Sequence, residues 1–257
     1  MPMFGQIALG PPGSGKSTFC NGMKQFLEAL GRRVIICNLD PANEYLPYET
    51  CDLDIRQLID SRDVSKNLNL GPNGSLIYCL DFLEHNLKWL INRLAHFRDK
   101  MNANYVLFDF PGQIELFTHK NCLRNILRRL RKEADLQLVT LNLVDIHYCT
   151  DAAKFIAVLL TSLNTMIRLE TPHLNIISKM DLYEKFCDRM PFNLDYFADV
   201  LDLKYILDCI DDDPFLKRFK EMNSLICETI ESYGLLSFVP LNIQSSADGL
   251  LAVRQLA

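Results

Sequence analysis

The sequence has no C-x-x-C pair, although it carries nine cysteines. That excludes the common zinc-knuckle and thioredoxin-like patterns, and scattered thiols fit a reduced, cytoplasmic or nuclear setting better than a disulfide frame. Nor is there a basic surplus: 27 Lys and Arg stand against 32 Asp and Glu, a formal net charge of −5. Broad electrostatic binding to nucleic acid is therefore not expected. No apolar run of bilayer-spanning length is apparent, so no membrane contact is expected. The first residues, MPMFGQIALGPPG, lack the basic stretch of a signal peptide. Repeats and low-complexity segments are also missing. What remains is a 257-residue chain with 49% hydrophobic residues, enough for a single large domain over 1–257.

The most specific string is GPPGSGKS, Gly10 to Ser17, a complete G-x-x-x-x-G-K-S phosphate loop. It follows a strand-like run, Phe4 to Leu9, and precedes a helical pattern from Ser17 to Leu30 that stops at Gly31. Gly10, Gly13 and Gly15 let the backbone curl so that N–H groups, including that of Ser14, point at phosphate oxygens. The helix start at Lys16, Ser17 and Thr18 adds unpaired donors and a positive dipole end. Lys16 is expected on the β- and γ-phosphates and the Ser17 hydroxyl on Mg²⁺.

Further strand-like runs are Arg33 to Leu39, Asn104 to Phe108, Leu136 to Val144, His173 to Ile177 and Phe238 to Leu241. Alternation with helical stretches predicts an α/β, doubly wound, mostly parallel sheet of P-loop type, with sites at the carboxyl ends of the strands. The region 182–234 interrupts the alternation. It reads as a helical insertion before the last strand, rich in aromatics such as Phe186, Phe192, Tyr196, Phe197, Tyr205, Phe215, Phe219 and Tyr233. Core packing is the simpler use of these rings, an apolar groove for a client segment the alternative. Asp208, Asp211, Asp212 and Asp213 lack calcium-loop spacing and read as a solvated turn. Arg124, Arg128, Arg129, Arg131 and Lys132 read as a solvated helix face.

The chemistry sits at the strand ends. Asp109-Phe-Pro-Gly-Gln113 places an acid where it can hold Mg²⁺ through water, followed by a tight Pro111-Gly112 turn. Gln113 or Glu115 could orient or deprotonate the attacking water, and Glu115 would equally serve as an acid at a helix start. Asp40, in Asn38-Leu-Asp-Pro-Ala42, is carried towards the phosphates, where it could reach Mg²⁺ through water; the plain alternative is an Asp-Pro turn. An aspartate in that slot resembles the SIMIBI branch of P-loop proteins, many of which work as nucleotide-dependent dimers. Ser178-Lys179-Met180-Asp181 resembles the guanine-reading box of GTPases, with Ser in the first place. The Asp181 carboxylate can accept from guanine N1–H and its exocyclic amine, a donor pair adenine lacks, while the Lys179 stem can lie along the base. Ser245-Ser246-Ala247 resembles the weaker S-A-x base-contact box.

The ordered set GPPGSGKS, NLDPANE, GPNG, DFPGQIELF and SKMD closely resembles the GPN-loop GTPases across almost the whole chain, and is most like the second eukaryotic paralogue. The resemblance implies GTP or GDP with Mg²⁺, and a homodimer or a heterodimer with a paralogue. It implies that Gly71, Pro72 and Asn73 of one subunit approach the phosphates of the other, with Asp40, Asp109, Gln113 and Glu115 around the water and metal. It also implies a role in the assembly and nuclear import of RNA polymerase II, and for this paralogue RNA polymerase III, from a cytoplasmic base with shuttling to the nucleus. The rivals are a P-loop kinase, which the SKMD box argues against, and a nucleotide-stabilised scaffold that does not turn over.

Overall fold

Buried β-branched runs and amphipathic helices follow one another in a computed structural model that describes residues 3–43, 45–210 and 216–244. In chain order these are β1 (Met3–Leu9), α1 (Lys16–Ala29), β2 (Val34–Asn38), β3 (Leu53–Asp54), α2 (Ser61–Leu68), α3 (Pro72–His85), α4 (Leu87–Met101), β4 (Tyr105–Asp109), α5 (Glu115–Thr118) and α6 (Cys122–Glu133). They continue with β5 (Leu136–Asp145), α7 (Ala152–Leu169), β6 (His173–Ser178), α8 (Tyr183–Phe186), α9 (Leu194–Asp199), α10 (Lys204–Asp208), α11 (Lys220–Tyr233) and β7 (Phe238–Pro240). The strand order is β3-β2-β4-β1-β5-β6-β7, and the pairings β1–β4, β2–β4, β2–β3 and β6–β7 are parallel. This is the doubly wound α/β sheet that the alternation predicts. The added strand is β3, two residues long and too short to show any alternation.

The chain forms two compact units. The first runs to Leu141 and takes in Arg168–His173. Strands β1, β2 and β4 supply the middle of its core, with Ile7, Leu9, Ile35, Cys37, Val106 and Phe108 essentially inaccessible. Helix α6 shows how sequence selects the buried face. Cys122, Leu123, Ile126, Leu127 and Leu130 recur at three- and four-residue spacing and are buried, while arginines fill the other side. Three of those arginines are tied within the unit. Arg124 pairs with Glu170, Arg129 with Glu133 at 2.8 Å, and Arg131 donates to the Glu170 carbonyl at 3.3 Å. A solvated face is what the spacing predicts, and exposed pairs of this kind add little to stability.

The second unit comprises Asn142–Ile167 and the described residues from Leu174 onward. Its core gathers Val144, Ile146, Phe155, Leu159, Ile177, Phe197, Leu203, Ile206 and Phe238. Among the described residues, 182–234 holds helices and no strand, as expected of the insertion. Its aromatics divide: Tyr196 and Phe197 are buried, with Phe186 and Phe192 packed against them, whereas Tyr205, Phe219 and Tyr233 are exposed. Phe215 and Asp211 to Asp213 lie outside the described residues. One expectation is corrected here. Among the described residues α7 is long and apolar enough to cross a bilayer by length and composition, with mean hydropathy 1.4. Its Phe155, Ile156, Leu159 and Leu163 are buried in the core of this unit, which is the use the structure shows for that apolar face.

Candidate active site

Three strands of the first unit end at one level. Across the parallel pairings, Ala8 stands opposite Asp109 and Asn38 opposite Asp109. The Leu39 N–H donates to the Asp109 carbonyl at 2.8 Å, extending the β2–β4 ladder to the edge of the site. Carboxyl ends of parallel strands are where open α/β sheets bind ligands.

Between β1 and α1 the chain turns through Gly10, Gly13 and Gly15, with φ of 137°, 76° and 91°. Gly15 occupies the left-handed region immediately before α1, a position a side chain rarely adopts. Helix α1 has no side-chain cap, so its first N–H groups are left for a ligand. Gly13, Ser14 and Gly15 form this curl, Ser17 and the exposed Thr18 lie in the first turn, and Lys16 opens the helix. The Lys16 ammonium folds back and donates to the carbonyl oxygens of Gly10 at 3.2 Å and Pro11 at 3.1 Å. Lys16 is buried. That burial lowers its pKa, against the opposing pull of Asp109 and then Asp40.

Asp109 is almost wholly buried at the end of β4. Burial raises its carboxyl to about 6, against a Ser17 hydrogen bond and the Lys16 charge, while the Asp40 charge adds to the rise. Burial likewise raises Asp40, opposed by the Ala42 N–H, which donates to its Oδ1 at 2.9 Å, and by Lys16. Asn38, fully buried, braces this turn: its Oδ1 accepts from the Asp40 N–H at 3.2 Å and its Nδ2 donates to Asp54 at 3.3 Å. Two carboxyls pushed upward around one ammonium, with the Ser17 hydroxyl on one of them, form a hard-oxygen donor set in want of positive charge. That chemistry fits Mg²⁺ held by a P-loop hydroxyl and carboxylates alongside substrate phosphates.

The turn after β4 packs directly on the phosphate loop. A Cβ on Gly112 would fall 2.8 Å from Lys16 Nζ and 2.8 Å from the Pro12 backbone, so only glycine fits. Gln113 follows, and Glu115 opens the short helix α5. The helix-start reading of Glu115 is therefore met, and its exposed position leaves the catalytic reading open.

Gly71-Pro72-Asn73 opens a helix. Gly71 caps α3, Pro72 is its first residue and Asn73 its second. The exposed Asn73 side chain accepts a hydrogen bond at its Oδ1 from Gln113 Nε2 of the same chain, at 2.8 Å. Sequence reasoning did not anticipate that contact. It also missed the segment between β2 and β3. Asn43 Nδ2 donates to Ser17 Oγ at 3.4 Å, and the buried Tyr48 hydroxyl donates to Asp109 Oδ2 at 3.4 Å. Both residues stand in the quoted NLDPANE stretch or just after it, but no periodicity marks them.

The second unit carries the Ser178–Asp181 loop. Ser178 ends β6 and its hydroxyl donates to the Val144 carbonyl at 3.1 Å. Lys179 is left-handed, φ 60°, and its ammonium lies 2.6 Å from Asp145 Oδ2. Burial would raise the Asp145 carboxyl, but the His147 N–H, donating at 3.0 Å, and the Lys179 ammonium together hold it below the ordinary value. The loop stem is thus fixed, and Asp181 sits exposed in the short 3₁₀ turn Met180–Leu182. Ser245, Ser246 and Ala247 lie outside the described residues.

The fold, the phosphate curl and the strand-end carboxylates define a P-loop nucleoside triphosphatase. Residues 8–256 match a family described as "Conserved hypothetical ATP binding protein". GPN-loop GTPase 2 of Danio rerio is 50% identical over 251 residues, covering 98% of this chain and 78% of that one. GPN-loop GTPase 2 of Schizosaccharomyces pombe is 43% identical over 253 residues, with 98% and 78% covered. A solved GTPase from Pyrococcus abyssi, in apo form, shares the fold at TM-score 0.75 and 21% identity, over 99% of this chain and 95% of that one. The chain belongs to the GPN-loop GTPase family.

Proposed function

We propose that this GTPase hydrolyses Mg²⁺-bound GTP slowly and uses the nucleotide state to switch a dimer between partner-binding forms. The observation that carries the reading is the phosphate curl closed by Gly112, with Lys16, Asp40 and Asp109 converging on it. Lys16 and the α1 N–H groups would hold the phosphates and balance charge developing on them. Ser17 and Asp109 would hold the metal, directly or through water, with Asp40 beside them. The bound Mg²⁺ would supply positive charge to the β- and γ-phosphate oxygens. Gln113, Glu115 and Asp40 are the groups that would orient the water or take its proton. Guanine is favoured over adenine because Asp181 follows a stem fixed by the Lys179–Asp145 contact.

Release of free phosphate from GTP and from ATP tests this directly. GTP is expected to turn over and ATP to remain largely intact; equal turnover of both would end the guanine assignment, and no turnover of either would leave a nucleotide-stabilised scaffold. In the same assay Glu115→Ala and Asp40→Ala are expected to spare GTP binding and slow single-turnover hydrolysis by about 10- to 1,000-fold. Unchanged rates in both variants would remove the water-positioning roles.

The partner is inferred to be a second GPN-loop subunit, identical or paralogous, with RNA polymerase subunits or their assembly factors as clients. Work in the cytoplasm with passage into the nucleus would follow from that client. In such a dimer Asn73 would act on the neighbouring subunit's phosphates, supplying the charge stabilisation that other GTPases draw from an arginine. The Gln113–Asn73 bond favours a second reading, in which Asn73 acts within its own chain. Purified mixed dimers of Lys16→Ala and Asn73→Ala subunits separate the two. Action in trans is expected to return about half of the wild-type rate per dimer, since one site is complete. No return would favour action in cis.

A further inference from the structure

We propose that Tyr48 is a positioning residue for the metal site: its hydroxyl fixes the rotation of the Asp109 carboxylate that the Mg²⁺ site depends on. The inference rests on the Mg²⁺-dependent reading above. Tyr48 lies in the stretch between β2 and β3, distant in sequence from Asp109, yet it is buried at 5% exposure and reaches Asp109 Oδ2. Asp109 itself is 1% exposed. A buried carboxylate can rotate about its last bond, and the angle decides which lone pair faces a metal or a metal-bound water. Here two hydroxyls limit that rotation. Ser17 hydrogen-bonds the carboxylate from the phosphate loop, and Tyr48 donates to it from the opposite chain segment. A phenol hydroxyl carries one proton to give, and with Asp109 as its acceptor it serves here as a donor.

The same segment touches the site at two more points. Asn43 donates to Ser17 Oγ, and the Ala42 N–H holds Asp40. Further along, Lys24 of α1 binds Thr50 Oγ1 at 2.9 Å and pairs with Asp52 at 3.4 Å. Residues 40–52 are therefore fastened at both ends to elements bearing the phosphate loop, with Tyr48 the member that reaches the metal carboxylate. Donors behind a ligand of this kind orient it, and their removal commonly weakens metal binding.

The test uses Tyr48→Phe, which keeps the ring and removes only the donor. A fluorescent GDP analogue is loaded on the intact protein, and its release is followed across a Mg²⁺ titration and in excess EDTA. The half-maximal Mg²⁺ for slowing release is expected to rise about 3- to 10-fold. Release in EDTA is expected to match the wild type, because nucleotide contacts without metal do not involve Tyr48. An unchanged Mg²⁺ midpoint overturns the proposal. Equal acceleration with and without Mg²⁺ also overturns it, since that marks a merely structural ring. If Mg²⁺ does not slow release from the wild-type protein, the metal reading fails first and this inference falls with it.

Discussion

Lys16→Ala is expected to weaken GTP and GDP binding by about 100-fold or more and to bring hydrolysis below detection. The ammonium is the buried cation on which Asp40 and Asp109 both act. Without it, entering phosphates meet two carboxyls with no fixed positive charge between them. Fluorescence titration with a nucleotide analogue would read the affinity, and phosphate release the rate. Lys16→Arg is expected not to rescue. The space over the loop is already closed, with a Gly112 Cβ position only 2.8 Å from Lys16 Nζ, and a planar guanidinium would not fit there without displacing the turn. Binding that survives Lys16→Ala within a few-fold would mean that backbone N–H groups alone carry the phosphates.

The second large effect concerns the choice of base. Asp181→Asn is expected to lower GTP affinity by roughly 100-fold, with ATP affinity little changed, so that discrimination collapses. In the proposed complex the carboxylate would accept twice from guanine, whereas an amide would accept once and turn a donor toward the second guanine donor. Xanthine carries a carbonyl where guanine has its amine, so the variant is expected to gain affinity for xanthosine triphosphate. Competition binding with the three nucleotides measures all of this at once. The fold should be indifferent, because Asp181 is exposed and the loop is held by Lys179, Asp145 and Ser178. An unchanged ratio of GTP to ATP affinity would show that the base is read elsewhere.

Most of the sheet was legible because its strands are buried on both faces and therefore read as continuous apolar runs, as in Val34 to Cys37 and Val106 to Phe108. The phosphate loop was legible because its backbone demands glycine and its chemistry demands lysine. Strand β3 was not, since Leu53–Asp54 offers two residues to a pattern that needs four. The start of α3 is ambiguous in the sequence for a definite reason. Proline at the second position of a turn and at the first position of a helix has the same φ, so Gly71-Pro72-Asn73-Gly74 fits both until the next turn of chain is seen. Tyr48 and Asn43 were invisible because their partners, Asp109 and Ser17, lie far away in sequence. The apolar content of α7 fooled the eye the other way: small and polar residues such as Ala157, Thr161 and Ser162 break its run, yet the whole helix still passes for a bilayer span.

The alignment of Ala8, Asn38 and Asp109 across three parallel strands makes the sheet a length standard for the chain. Losing one residue between Tyr105 and Phe108 would draw Asp109 back by about 3.3 Å and turn its side chain to the opposite face. No repacking of neighbours could restore it, because the ladder bonds of β1 and β2 would slip with it. The register is already set ahead of β4, where the Asn104 carbonyl accepts from the Phe4 N–H at 3.0 Å and the Asn104 N–H donates to the Arg33 carbonyl at 3.3 Å. The active-site carboxylate is held in place by the counting of residues as much as by their kind.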